Sequence, residues 1–341
     1  MQRDRRDRTS FALTALAVLC VTTATPLQAN DSTAETRAGG LVLVRNADID
    51  MAEEDLFISA EQIRVRYVFR NRARADRTVT VAFPMPDHDL SAEQDGDVGF
   101  PSDFATRVDG RPVRMQVERK AMLGAADHTP LLARLAVPVS PGADQAENRI
   151  VRALDALPRA EQDRLVRLRL AAVEEYDAGR GTERHLAPLW IVRETWHWEQ
   201  TFPAGRDLIV DHQYKPGTGG SVGALLAFPE FRREAEGRAM IRDYCVDRAF
   251  LAGVDRLVRQ AGPERTVQDR RVGYVLTTGG NWRSPIGRFR LVVDKGAPEN
   301  LVSFCGEGVR RISPTQFEMV RTNWRPDRDL QVLIVLPQPV G

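Results

Sequence analysis

Apolar and polar positions alternate with a period of two over much of the chain, the spacing of half-buried strands. The clearest run is "QIRVRYVFRN", where Ile63, Val65, Tyr67 and Phe69 alternate with Gln62, Arg64, Arg66 and Val68. "RTVTVAFPMP" follows, with Val79, Val81 and Phe83 set between Thr78, Thr80 and Ala82 before Pro84 and Pro86 end it. Across the polar turn "NRARAD" the two runs predict an antiparallel hairpin with one apolar face. A second hairpin is predicted over 106–119, around the turn pair Asp109-Gly110. Shorter strands are expected at 41–45 and 56–58, then at 273–278, 288–293, 301–305, 316–321 and 329–336.

The period changes near residue 144. "DQAENRIVRALDAL" and "RAEQDRLVRLRLAAVEEYDAG" read as helices, the second with Leu165, Leu168, Ala172 and Tyr176 on one stripe. A broken helical region is predicted over 231–260, where Gly237 weakens the start and Leu251, Val254, Leu257 and Val258 form an apolar stripe. The fold class this implies is mainly β (α+β): antiparallel β-sandwich-like units with helical insertions. The expected divisions are an N-terminal β-sandwich domain over 30–140, a helical insertion over 141–187, and a C-terminal β-rich domain over 188–341.

Residues 1–29 stand apart. An arginine-rich start, an apolar run from Phe11 to Val21 and a small-residue end at Leu27-Gln28-Ala29 have the grammar of a cleaved secretory signal. The apolar run is shorter than the roughly 20 residues of a membrane span, and no later run reaches that length. The expectation is therefore a periplasmic or secreted protein with no transmembrane segment in the mature chain. Loss of four arginines and two aspartates with the signal moves the net charge from +1 to −1. Such a balance gives no electrostatic case for nucleic acid. Cys20 leaves with the signal, so Cys245 and Cys305 remain, and in an oxidising compartment they are expected as one disulfide. The alternative for Cys305, a nucleophile before the turn of "FCGEGV", lacks a histidine base later in the chain.

The most suggestive chemistry lies in "WHWEQTFPAGRDLIVDHQYKP". Strand parity puts Trp196, Trp198, Gln200 and Phe202 on one face and His197, Glu199 and Thr201 on the other. In the return strand Leu208, Val210, His212 and Tyr214 oppose Ile209, Asp211 and Gln213. Pairing the two bulky faces sets Trp198 near His212 and turns His197 away, so the two histidines do not share a metal. The tryptophans read as core, and His212 as a satisfied core or cross-strand histidine. The glycines of "KPGTGGSVGALL" lack the lysine of a P-loop, and the acids of "DMAEED" lack the spacing and glycine of an EF-hand. No catalytic set, cofactor or metal site is expected. A possible ligand-binding surface is formed by Trp282, in the loop "TTGGNWRSPIGRF", with His197 and Glu199.

"NDSTAETRAGGLVLVRNADIDMAEEDLFIS", "VTVAFPMPD", "WHWEQTFPAG", "HQYKPGTGGSVG" and "GRFRLVVDKGAPENLVSFCGEGV" together resemble an exported bacterial family, domain-of-unknown-function family 4424. The resemblance runs from Asn30 to about Leu336. It implies a signal peptide, export and a largely β fold, and carries no activity or catalytic residues. Two functions follow for testing. One is a non-enzymatic binding protein for an envelope protein, peptide or glycan. The other is an envelope hydrolase using dispersed carboxylates such as Glu199, Asp211 or Glu307.

Overall fold

A computed structural model of the chain describes residues 31–37, 40–91, 100–141, 149–177, 179, 181–221, 223–262 and 265–339. The expected signal, residues 1–29, lies outside them. In chain order the first strands are β1 (Ser32–Arg37), β2 (Gly40–Val44), β3 (Ile49–Ile58), β4 (Ile63–Asn71) and β5 (Arg77–Pro84). Next come β6 (His88–Asp89), β7 (Ser102–Val108), β8 (Arg111–Val113), β9 (Gln116–Leu123) and β10 (Ala126–Asp127). Helices α1 (Thr129–Arg134), α2 (Arg149–Asp155) and α3 (Arg159–Arg167) lead to β11 (Ala171–Asp177) and β12 (Thr182–Pro188). Then β13 (Ile191–Phe202), β14 (Asp207–Lys215) and β15 (Gly219–Ser221) precede α4 (Ala235–Asp243) and α5 (Arg248–Ala261). The chain finishes with β16 (Arg265–Tyr274), β17 (Ile286–Asp294), β18 (Leu301–Phe304), β19 (Arg310–Arg311), β20 (Gln316–Trp324) and β21 (Leu330–Pro339).

Three sheets share one core. A seven-stranded sheet runs β10-β9-β13-β5-β1-β2 with β6 also on β13. An eight-stranded sheet runs β19-β20-β17-β3-β4-β14-β7-β8, and a four-stranded sheet runs β15-β16-β21-β18. Pairing is antiparallel except at β3 and β17, which run parallel. The alternation of β4 is realised as predicted: Ile63, Val65, Tyr67 and Phe69 are buried and Arg64 and Arg66 face solvent. The fold is mainly β with helices added at its flanks.

The partners of β4 differ from expectation. β4 pairs with β3 and β14, whereas β5 pairs with β1 and β13 in the other large sheet. The polar turn after β4 therefore carries the chain across the sandwich instead of folding it back in one sheet. β13 and β14 make the same crossing, so two arches lie side by side. Asn71 fastens their corners, donating from Nδ2 to Ala75 O at 3.0 Å and Phe202 O at 2.9 Å, while Asp76 accepts from Ala204 N at 2.8 Å. An arch and a hairpin have the same period-two pattern, so alternation does not separate them. The predicted β7–β8 hairpin does form, with Asp109 and Gly110 both at positive φ.

Because β14 lies between β4 and β7, and β3 beside β17, the 30–140 and 188–341 segments interleave in the same sheet. The expected boundary between two β domains is thus corrected. The 141–187 insertion is corrected too: among its described residues only α2 and α3 are helical, and β11 and β12 form a hairpin where the second helix was expected to continue. Helix α3 stops in a Schellman turn, with Leu170 N bonded to Leu165 O at 2.9 Å and Arg169 N to Val166 O at 3.0 Å. Arg169 takes the left-handed position usually given to glycine, so the stop carries no glycine signal in the sequence.

Candidate functional site

The outward face of the eight-stranded sheet is built by the polar half of the same alternation that makes the core. Register aligns Arg290 with Asp55, Asp55 with Arg66, Arg66 with Asp211, and Asp211 with Arg107. Five neighbouring strands thereby carry a row of alternating charge. Along the next row Val292, Phe57, Arg64, Gln213 and Ala105 are aligned. These residues line a groove of about 630 Å³.

Within the row, Arg290 reaches Asp55 at 3.1 Å and Arg66 reaches Asp211 at 3.3 Å. Arg290 also donates to Glu318 at 2.8 Å, and Arg310 donates to the other oxygen of Glu318. Hydrogen bonds from Arg310 and Arg290 hold the Glu318 carboxyl below its ordinary range. Arg64 lies 4.4 Å over the Phe57 ring, a cation–π contact that orders the side chain without neutralising it. Neither Arg64 nor Arg107 has a carboxylate partner among the described residues. The groove thus presents four arginines against two aspartates, Asp55 and Asp211.

The other polar cluster is closed. His212 projects into the core, with Nε2 3.1 Å from Asp31 Oδ1 and Nδ1 2.8 Å from Thr106 Oγ1. Asp31 is held further by Trp282, whose Nε1 donates to its carbonyl at 2.6 Å. Asp31 and its neighbour Ser32 are fully buried, and burial pushes the Asp31 carboxyl up against the opposing pull of His212. Carboxylate, imidazole and hydroxyl in series are the parts of an acyl-transfer triad, yet Thr106 is 3% exposed and the His212 side chain is 0% exposed. The series holds the segment at Asp31 in the core and offers no nucleophile to solvent. His212 was legible as a satisfied histidine; its partner Asp31 was not, because nothing in the sequence distinguishes an aspartate beside the expected cleavage point.

Trp198 does meet His212, at 5.6 Å between ring centroids, but across the sandwich and not between paired strands. Trp196 stacks on Phe104 at 5.1 Å, with β13 paired to β5 and β9. Parity is otherwise as predicted: Trp198 is buried, while His197 is half-buried and Glu199 exposed on the outer face of the seven-stranded sheet. Trp282 corrects the proposed ligand surface. It is 0% exposed and packs 4.5 Å from Phe69, so it offers nothing to a ligand and is not brought together with His197 and Glu199.

The hydrolase carboxylates are likewise dispersed. Glu199 faces out from the seven-stranded sheet, Asp211 faces out from the eight-stranded sheet paired to Arg66, and Glu307 lies between β18 and β19 with 90% side-chain exposure, bonded to Arg321. Cys245 and Cys305 form a disulfide across 60 residues, which leaves no Cys305 thiol to act as a nucleophile. Among the described residues no three His, Cys, Asp or Glu side chains converge as metal ligands, and no helix is long and apolar enough to cross a membrane.

A family model described as a domain of unknown function (DUF4424) matches residues 29–333. No curated protein matches. Among solved structures, the chain is similar to a "putative nutrient binding protein" of Legionella pneumophila, at 14% identity and a TM-score of 0.42 over 90% of this chain and 70% of that one. It is also similar to an M1 zinc metallopeptidase of Deinococcus radiodurans, at 9% identity and a TM-score of 0.22 over 85% of this chain and 43% of that one. At these scores neither likeness bears on function.

Proposed function

The chain belongs to the DUF4424 family, and from that premise we propose that it is an exported, non-enzymatic binding protein of the cell envelope. Its ligand is an acidic segment of an envelope protein or peptide, seated in the groove on the outer face of the eight-stranded sheet. The observation that carries this is the excess of arginine there, with Arg64 and Arg107 lacking carboxylate partners among the described residues. A fixed guanidinium beside strand backbone is suited to carboxylates, which it can meet through two parallel hydrogen bonds. The disulfide supports export, since such bonds persist in oxidising compartments.

The test compares labelled oligo-glutamate and oligo-lysine peptides by fluorescence anisotropy. Saturable binding of the acidic peptide, weakening as salt is raised, is the expected result. Equal binding of both, or of neither, removes the groove as the site. Export is tested separately by N-terminal sequencing of protein from a periplasmic fraction, where a start at Asn30 is expected and an intact Met1 would refute cleavage.

A further inference from the structure

A second cavity, of about 200 Å³, lies where the end of β14 passes to the four-stranded sheet. Its lining includes Asp87, Tyr214, Gly219, Arg271, Gly273 and Gln331. That volume falls below the roughly 300 Å³ at the low end of pockets for drug-sized molecules, so its occupant is small.

The charges are arranged in two backed pairs. Arg271 borders the cavity, while its counterion Asp269 does not and lies 3.3 Å from Arg271 Nε. Asp269 is 2% exposed, and its other oxygen accepts from Ser221 Oγ at 2.9 Å and Leu225 N at 3.0 Å. Asp87 borders the cavity as well, and its counterion Arg193 approaches from outside the lining with two contacts of 3.2 Å. One guanidinium and one carboxylate therefore face the same small space, each with its opposite charge behind it. Burial pushes the Asp87 carboxyl up despite Arg193, so that one partner does not fully offset the cost of burying its charge.

One unmet hydrogen-bonding group lies at the same place. The Tyr214 hydroxyl is buried without a hydrogen-bond partner among the described residues, whereas Arg271 Nε and Asp269 Oδ1 face each other as an ion pair at 3.3 Å without hydrogen-bond geometry. Nearly all buried polar groups have partners, and a group without one calls for a missing water, ion or ligand. Gly219 and Gly273 keep the walls free of side chains at their positions, and the nearest atoms to a Cβ on Gly273 would be those of Gln331 at 3.5 Å and Pro86 at 3.7 Å.

We propose that this cavity binds a small zwitterion of the free α-amino acid class, with its carboxylate on Arg271 and its ammonium on Asp87. Tyr214 and Gln331 supply the remaining polar contacts. A simple anion would use Arg271 alone and a simple cation Asp87 alone; a zwitterion uses both without adding net charge.

Equilibrium dialysis of the full chain against radiolabelled glycine tests this. The expected result is saturable binding displaced by unlabelled L-alanine and not by the same concentration of acetate or methylammonium. Gly273→Ala, whose methyl enters the cavity at ordinary contact distances, is expected to weaken binding by roughly tenfold or more while leaving the melting temperature unchanged. Absence of saturable binding overturns the proposal. So does displacement by acetate alone, or an unchanged affinity in a Gly273→Ala protein that melts as the parent does.

Discussion

Replacing His212 by alanine tests how the segment at Asp31 is held in the core. His212 Nε2 is the partner of Asp31 Oδ1, and Asp31 Oδ2 has no hydrogen-bond partner among the described residues. His212→Ala leaves a fully buried carboxylate with neither oxygen paired by a side chain. Stranding a buried carboxylate without its partner costs about 3–5 kcal/mol, or a fall in melting temperature on the order of 10 °C for a chain of this size. Adding Asp31→Asn removes the stranded charge, so the double variant is expected to regain about 1–3 kcal/mol over His212→Ala alone.

The pH dependence has a definite sign. The folded Asp31 carboxyl sits above its ordinary value of 3.8, first because burial disfavours its charge and in spite of His212, which pulls it down. The folded state therefore holds this proton at pH values where the unfolded chain has released it, and stability falls as pH rises from 3.8 through the folded value. Without His212 the folded value rises further. The gap between His212→Ala and the double variant should then be wide at pH 7 and shrink as the solution is acidified. Urea titrations at a series of pH values measure this. A loss below about 1 kcal/mol for His212→Ala, or a double variant no more stable than the single, would refute the buried-charge explanation.

The remaining expectations concern packing, the disulfide and a tryptophan. Gly237→Ala would put a Cβ 1.8 Å from Phe231 O, so a loss of about 1–3 kcal/mol is expected in urea, and neutrality would mean the preceding turn yields freely. Mass spectrometry without reductant should find Cys245 and Cys305 in one linked peptide pair, and replacing both by serine should cost about 4 kcal/mol for a loop of this length; two alkylatable thiols would refute it. Trp282→Ala should lower stability by about 3–5 kcal/mol and leave groove affinity intact, since the ring lies in the core. Loss of binding without loss of stability would return Trp282 to a surface role.

What the sequence disclosed follows from which physical rules are local. Inward and outward parity in β4, β13 and β14 is set within each strand, so the burial of Tyr67, Trp198 and His212 and the outward course of Arg64 and Asp211 were all legible. The partner strand is not local, and β4 and β13 each joined a sheet that their alternation did not specify. The stop of α3 was missed for a narrower reason. Ala136, Arg169 and Cys245 all occupy left-handed positions after α1, α3 and α4 without being glycine. Each lies in the same turn, as in Val137 N to Leu132 O and Val246 N to Ile241 O, both 2.9 Å.

Gly237 shows the opposite error: read as a weakness in a helix, it is the residue that lets the backbone at Phe231 approach. The groove escaped notice because its residues come from six strands spread between Asp55 and Gln316, and only register brings them together. The alternating arginines of "QIRVRYVFRN" were the available signal; taken within one strand, they mark no more than its polar face.

The most direct measurement of the proposed function is the affinity of labelled oligo-glutamate for Arg64→Ala/Arg107→Ala, beside Arg248→Ala as an exposed arginine on α5 outside the groove. Loss of the two groove arginines without carboxylate partners among the described residues should weaken binding by about tenfold or more and flatten its salt dependence, with the melting temperature and the Arg248→Ala affinity unchanged. Equal affinity in all three proteins would contradict binding in the groove.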